Sequence, residues 1–269
     1  MVELFENELN MPDRQSSKGN QLKFSRDNIW YKADYLGYEG LVEYTVSKLL
    51  GLSDLARNEY VDYELDEIVY NGQKFNACKS ADFTDGWQLI TLERLFKQQF
   101  GRGLNNIIYS IDDHEQRLDA IVSEVERTTG IADFGIYMCK VLAVDALFLN
   151  EDRHTHNLAV LMDGKGNYKL APIFDNGAGL LSDTMMEYPL NQDVIELIDR
   201  VKPKTFCDDF AEQLNIAESK YGQQIRFDFN YSQVSEIVMG AEQYDEGIRK
   251  RVIDIIMQMR RKYQYLFIS

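Results

Sequence analysis

The spacing of apolar residues changes character partway along this chain, near residue 80. Before that point short alternating runs dominate. Gln21-Leu22-Lys23-Phe24-Ser25 alternates polar and apolar, Asp27-Asn28 makes a turn, and Ile29-Trp30-Tyr31-Lys32-Ala33 continues as a second strand. A period of two is the mark of a strand, because successive side chains point to opposite faces. A helix is predicted over 38–50, with Leu41, Val42, Tyr44, Thr45, Leu49 and Leu50 on its apolar side and Gly51 placed to cap its C-terminus. Residues 60–70, the pair Asn71-Gly72 and residues 73–79 then read as a hairpin. Asn-Gly suits a two-residue turn in which both residues take positive φ.

After residue 80 the spacing becomes three to four, and helices are predicted over 89–100, 131–149 and 252–267. The 131–149 segment is so apolar that it is expected to be a central, enclosed helix. It runs straight into Asn150, so the loop that follows starts where a buried, rigid element stops. Beyond the loop lies a second hairpin pattern: apolar 158–162, a turn over 163–167, then 168–174. The expected class is α+β with two lobes, a small β-rich N-lobe over 1–80 and a larger, mostly helical C-lobe over 81–269. The join is expected near Ser80-Ala81-Asp82-Phe83. No internal repeat or low-complexity tract interrupts this layout.

Composition narrows the function classes. A hydrophobic fraction of 45% with 12% aromatics provides for a folded core. Lys+Arg total 29 against 44 Asp+Glu, a net charge of 29 − 44 = −15. Binding to nucleic-acid backbone needs concentrated positive charge, so direct nucleic-acid binding is not expected. Cys78, Cys139 and Cys207 are odd in number, widely spaced and set in apolar segments. They read as buried thiols of a reducing compartment, not as a disulfide frame or a zinc site. The first residues show no basic stretch followed by an apolar core, and no apolar run approaches the ~20 residues that span a bilayer. The expected location is the cytoplasm, with secretion without a cleaved signal left open.

The chemistry concentrates in Asn150-Glu151-Asp152-Arg153-His154-Thr155-His156-Asn157 and in Asp175, which follows Ala171-Pro172-Ile173-Phe174. Asp152 and Asn157 are five residues apart, and Asp175 comes eighteen later, returned by the hairpin. This is the pattern of a protein-kinase-like active site: one carboxylate for the acceptor hydroxyl, an amide for a divalent metal, and a second carboxylate for the metals on the ATP phosphates. A hydrolase reading competes, with His154, His156, Asp152 and Asp175 on a transition metal. The chain has only 3 histidines, the third being His114, which is few for a two-metal hydrolase. His154 is instead expected to brace the loop and His156 to be exposed.

The nucleotide side needs a loop over the phosphates, a lysine and a partner for the lysine. Ser16, Ser17, Lys18 and Gly19 lie in a small polar loop before the first strand, where backbone N–H groups can line a phosphate. Lys32 sits on the second strand, and by alternation alone it is a solvent-side residue. Glu43, on the helix eleven residues later among apolar neighbours, changes that weighting. A buried carboxylate needs a cation, and a strand lysine paired to a helix glutamate is how kinases aim the lysine at the phosphates.

Taken together, Asn150-x-Asp152-Arg153-His154-x-x-Asn157, Ala171-Pro172-Ile173-Phe174-Asp175-x-Gly177, Lys32 and Glu43-Tyr44 resemble the HipA-like serine/threonine kinases. The likeness is to the compact cell-translocating kinase A type, and their catalytic lobe is related to phosphatidylinositol 3/4-kinases. It spans residues 15–180, and no motif carries it beyond Asp183. The motif order Asp-Arg-His inverts the His-Arg-Asp of ordinary protein kinases. The resemblance implies a two-lobed protein-kinase-like fold, ATP and Mg as cofactors, and transfer to a protein serine or threonine. It makes Asp152 catalytic, Asn157 and Asp175 metal ligands, Lys32 a phosphate contact and Glu43 its partner. It places Lys79 and Ala81, in Ala77-Cys78-Lys79-Ser80-Ala81-Asp82-Phe83, at the hinge where adenine rests. It further implies autophosphorylation at Ser16 or Ser17 and an antitoxin-like regulator. The family's full-length toxin kinases carry an extra N-terminal subdomain, and with few residues ahead of residue 15 in this sequence that subdomain is not expected here. The alternatives are a small-molecule or lipid kinase of the same fold and a nucleotide-binding pseudokinase. Lys202 and Lys204, in the 183–210 region where an acceptor groove is expected, do not decide among them.

Overall fold

The computed structural model describes residues 1–9 and 21–268. Ser16, Ser17, Lys18 and Gly19, the expected phosphate loop, lie outside the described residues. By its internal contacts the chain forms two compact units. One comprises Met1–Phe83, Phe174–Arg200 and Phe227–Ser269, the other Thr84–Ile173 and Val201–Arg226.

In chain order the first unit opens with strands β1 (Val2–Leu4), β2 (Lys23–Arg26) and β3 (Ile29–Ala33), helix α1 (Glu39–Leu50), and strands β4 (Glu64–Tyr70) and β5 (Gln73–Ala81). The strands form one sheet in the order β1-β4-β5-β3-β2, with β1 parallel to β4 and the other pairs antiparallel. Both predicted hairpin turns are present. Asp27 and Asn28 have φ of 52° and 62°, Asn71 and Gly72 have 51° and 75°, so each turn takes the twist that flanking strands prefer. One face of the sheet buries Leu4, Phe24, Tyr31, Ala33, Ile68 and Ala77 as a core. Gly51 ends α1 as expected but in a right-handed conformation, with φ −64°. Its need for glycine is proximity: a Cβ there would sit 3.2 Å from the Lys48 carbonyl and 3.2 Å from the Tyr60 hydroxyl.

The second unit opens with strand β6 (Gln88–Thr91), then helices α2 (Leu92–Phe100), α3 (Leu104–Ile108), α4 (His114–Thr129) and α5 (Phe134–Phe148), then strands β7 (Ala159–Met162) and β8 (Tyr168–Leu170). The helix predicted over 89–100 therefore starts later. Residues Gln88–Thr91 pair with β7 instead, and the Thr91 side chain accepts from the Arg94 N–H as an N-cap. The segment predicted as a central helix is α5, and it is enclosed on nearly all sides. Helices α6 (Val194–Ile198), α8 (Tyr231–Met239) and α9 (Glu246–Lys262) belong to the first unit and α7 (Phe210–Tyr221) to the second. The helix predicted over 252–267 begins earlier and stops at Lys262; a short 3₁₀ turn, Gln264–Leu266, follows. Among the described residues no helix is long and apolar enough to cross a membrane.

Asp34 follows β3 directly and has an unusual setting. Its Oδ1 accepts from the Gly40 N–H at 2.5 Å, while Oδ2 and the neighbouring Tyr244 hydroxyl are buried with no hydrogen-bond partner among the described residues. The Tyr244 hydroxyl lies near enough to influence the carboxyl, without meeting it in hydrogen-bond geometry. Burial pushes the Asp34 carboxyl up to about 8; Glu39 adds to the rise, and the Gly40 N–H and the Tyr244 hydroxyl oppose it. The folded chain thus keeps a proton that the unfolded chain releases above about pH 3.9. Stability is then lost as pH rises from about 4 to about 8, by roughly 1.4 kcal/mol per unit, and levels off above. The Asp34→Asn substitution keeps the Gly40 bond and removes the titration. Urea melts at about pH 5 and about pH 8 should show a flatter dependence in the variant, with its gain over the parent largest at the higher pH. Parallel profiles for the two proteins would show that Asp34 is not the group responsible.

Candidate active site

In the first unit the site is built around one ammonium. The pleat of β3 turns Lys32 inward, opposite Cys78 of β5. Lys32 Nζ donates to Glu43 Oε1 at 2.6 Å and to Asp175 Oδ1 at 2.7 Å, and it stands 5.1 Å from the centre of the Tyr63 ring. Glu43 reaches it from the second turn of α1 and is 1% exposed. Its other oxygen, Oε2, accepts from the Asn176 backbone N–H at 2.9 Å. One helix carboxylate therefore holds both the lysine and the chain beside Asp175. Burial alone would lower the Lys32 pKa, but Asp175 and then Glu43 outweigh it and hold it well above the ordinary lysine value. Lys23 of β2 adds a second, looser cation 3.7 Å from Asp175.

Asp175 is placed by a constrained backbone. Its φ is 60°, in the left-handed region, as are those of Leu180 (49°) and Leu181 (57°). Such conformations persist in residues other than glycine only where their surroundings enforce them. Here the enforcement is visible. The Tyr38 hydroxyl donates to the Leu180 carbonyl at 2.7 Å, and the Ser182 hydroxyl donates to the Gly177 carbonyl at 2.7 Å. Gly37 forms a bridge with Asp183, and a Cβ on Gly37 would overlap the Ser182 carbonyl at 1.9 Å. The Asp175 side chain stays 19% exposed, so it can meet both Lys32 and a ligand.

In the second unit the loop after α5 is braced from below. Asp145, in the last turn of α5, accepts from Asn150 Nδ2 at 3.0 Å and from Arg153 Nε and Nη2 at 3.1 Å. Burial pushes the Asp145 carboxyl up; the Arg153 guanidinium and the Asn150 amide oppose this. Arg153 is 2% exposed and also donates to the Asn157 carbonyl at 3.2 Å. Leu149 turns the chain out of the helix at φ 54°. Asn157 Nδ2 then donates to the Asp152 carbonyl at 2.8 Å, fixing the two predicted residues side by side. That bond turns the amide so that its oxygen is left to accept. His154 is half-buried; its Nδ1 accepts from the His156 N–H at 3.3 Å and its Nε2 is 3.7 Å from Asp152 Oδ2, while His156 is exposed. The expected bracing role of His154 matches this geometry.

Lys204 was the residue that sequence reasoning did not place. Its Nζ lies 3.5 Å from Asp152 Oδ1, brought there by a connector whose Thr205 hydroxyl donates to the Arg153 carbonyl at 2.8 Å. Asp145, Lys23 and Asn176 were also missed. Asp145 did leave a signal, as one of two charges inside an otherwise apolar helix. The predicted hinge residues lie on β5, where Lys79 Nζ pairs with Asp66 at 3.1 Å and Ala81 is exposed. Next to them Val61, Tyr63 and Cys78 form a buried apolar cluster edged by Phe83 and Phe174, whose ring centres are 5.3 Å apart.

No protein-family model matches the chain, and no curated protein matches it. Among solved structures it is similar to the proinflammatory kinase CtkA of Helicobacter pylori, with a TM-score of 0.64 and 17% sequence identity, over 98% of this chain and 96% of that one. The α+β, two-lobed kinase-like fold expected from the sequence is therefore the fold of this chain.

The buried charges of the first unit lead to a stability test. Replacing Lys32 by Met leaves Glu43 and Asp175 as adjoining carboxylates with their main cation gone, which should cost about 3–5 kcal/mol. Adding Glu43→Gln should recover a substantial part of that loss. Denaturant melts of the two single variants and the double variant form the cycle; a strictly additive double variant would mean that the pair does not couple.

Proposed function

We propose that this chain is an ATP- and Mg-dependent serine/threonine protein kinase of HipA-like type. The observation that carries the reading is the convergence of Lys32, Glu43 and Asp175, drawn from a strand, a helix and a segment 143 residues from Lys32. A merely structural ion pair has no need of a second carboxylate that stays partly exposed. Each of the two expected ligands has the right chemistry for the metal. Asp175 supplies a carboxylate and Asn157 an amide oxygen, both hard oxygen donors of the kind Mg²⁺ selects. When bound, Mg-ATP supplies the transferable phosphoryl group and neutralises the charge that develops on it.

The rest falls to residues of the chain. Lys32, aimed by Glu43, contacts the nucleotide phosphates. Phe83 and Phe174, the half-buried rings that edge the cluster of Val61, Tyr63 and Cys78, offer a surface for the adenine ring. Asp152, 6% exposed and held by the Arg153–Asp145 brace, orients the acceptor hydroxyl and takes its proton. Bound Mg-ATP would supply the γ-phosphoryl group to that hydroxyl oxygen, with ADP as the leaving group. Lys204, beside Asp152, holds that carboxylate and offsets negative charge where the phosphoryl group is received.

Incubation with Mg²⁺ and γ-labelled ATP, alone and with a mixed protein extract, should put label on protein serine or threonine. Asp152→Asn should lower transfer about 10²–10⁴-fold with nucleotide binding retained. Asp175→Ala should lose Mg-ATP binding as well, read by calorimetry. Full transfer by the Asp152→Asn variant would refute the assignment. Label found only on small molecules or lipid would keep the fold and change the acceptor class.

Lys204→Ala should reduce transfer by about tenfold, or roughly 1.4 kcal/mol in the barrier, while the Kd for Mg-ATP stays unchanged. A variant that loses nucleotide affinity but not turnover would move Lys204 from acceptor positioning to nucleotide binding.

A further inference from the structure

Away from the active-site residues, His114 Nδ1, Cys207 Sγ and a Glu212 carboxylate oxygen lie within 4.8 Å of one another. His114 is the first residue of α4, Glu212 is in the first turn of α7, and Cys207 is in the connector just before α7. Three separate elements thus deliver an imidazole, a thiol and a carboxylate to one point. Their backbones are well held. Arg117 of α4 donates to the Phe206 carbonyl at 2.8 Å, Gln213 donates to the Cys207 carbonyl at 2.6 Å, and the Cys207 Sγ contacts the Asp209 carbonyl at 3.4 Å. His114 Nδ1 and Glu212 Oε1 are 2.6 Å apart.

We propose that these three residues form a transition-metal site, best suited to Zn²⁺. A tetrahedral zinc ion with bonds of about 2.0–2.3 Å spaces its donors about 3.3–3.8 Å apart. The cluster reaches that spacing by parting the His114–Glu212 bond, whose atoms are 2.6 Å apart, around the ion. A thiolate and an imidazole select zinc over Mg²⁺ and Ca²⁺, whose ligands are oxygens. With a thiolate, a carboxylate and a neutral imidazole the ion's charge is balanced. The part-exposed His114 and Glu212 leave the fourth position to water. On binding, the Cys207 S–H bond breaks, an S–Zn bond forms and the proton passes to solvent. All three cysteines are buried free thiols, as expected, but the site departs from the expectation that none of them serves a zinc site. It also ties α4 to the connector three residues from Lys204.

The test uses the full chain, free of any affinity tag, stripped with a chelator and titrated with Co²⁺ and then Zn²⁺. A thiolate-to-cobalt charge-transfer band saturating at one equivalent, and displaced by Zn²⁺, is the expected result. Cys207→Ser should abolish the band and Cys139→Ser should leave it intact. His114→Ala and the surface variant Glu212→Gln should each weaken Zn²⁺ affinity by at least about tenfold. Asp152→Asn should bind like the parent, which separates this site from the kinase reading. No charge-transfer band in the parent, a band that survives Cys207→Ser, or affinity unchanged in both His114→Ala and Glu212→Gln would overturn the proposal.

Discussion

The ammonium of Lys32 is the group on which the arrangement of Glu43 and Asp175 in the first unit depends. Two carboxylates reach it, one wholly buried and one partly exposed, and its positive charge offsets their mutual repulsion. Glu43 is committed twice, to Lys32 through one oxygen and to the Asn176 N–H through the other. The left-handed turn at Asp175 is thereby coupled to the position of α1. A movement of α1 would strain the lysine, the glutamate and the Asp175 segment at once. A single buried charge network of this kind specifies an arrangement more than it adds stability, since its desolvation penalty consumes most of its Coulomb gain.

The second unit solves a similar problem with a different pair. Asp152 and Asn157 sit in a loop with little regular structure, and a loop by itself positions side chains poorly. The Arg153 guanidinium lies beneath them, forked onto Asp145 of the buried helix and reaching the Asn157 carbonyl. Asp152 and Asn157 are therefore referenced to the buried helix α5. A planar, five-donor guanidinium suits this task, because lysine could not bind the carboxylate and span the loop together.

Much of this was legible in the sequence where the signal is local. Alternation located β3, and Asn71-Gly72 announced its hairpin, because turn geometry demands residues that accept positive φ. The Asp152–Asn157 interval survived into the structure as a direct hydrogen bond. The pairing of Lys32 with Glu43 was readable because an acidic residue on an apolar helix face must find a cation. What sequence missed was set by tertiary pairing. Gln88–Thr91 became a strand only because β7 supplied a partner ladder, which no window of local periodicity records. Lys204 lies 52 residues from Asp152 and had no feature to distinguish it from Lys202, which instead pairs with Asp208. Polar residues in connectors carry no period, so their roles emerge only when the fold brings them to a charge.

A TM-score of 0.64 at 17% identity has a physical counterpart here. Most of the core is apolar packing, and apolar residues of similar volume substitute for one another at small expense. The charged positions do not have that freedom. Replacing Glu43 alone removes one partner from Lys32 and one from the Asn176 N–H, and replacing Arg153 alone leaves Asp145 as a buried carboxylate without its cation. A sequence can thus drift across nearly all of its apolar positions while a handful of paired polar ones must change together or not at all.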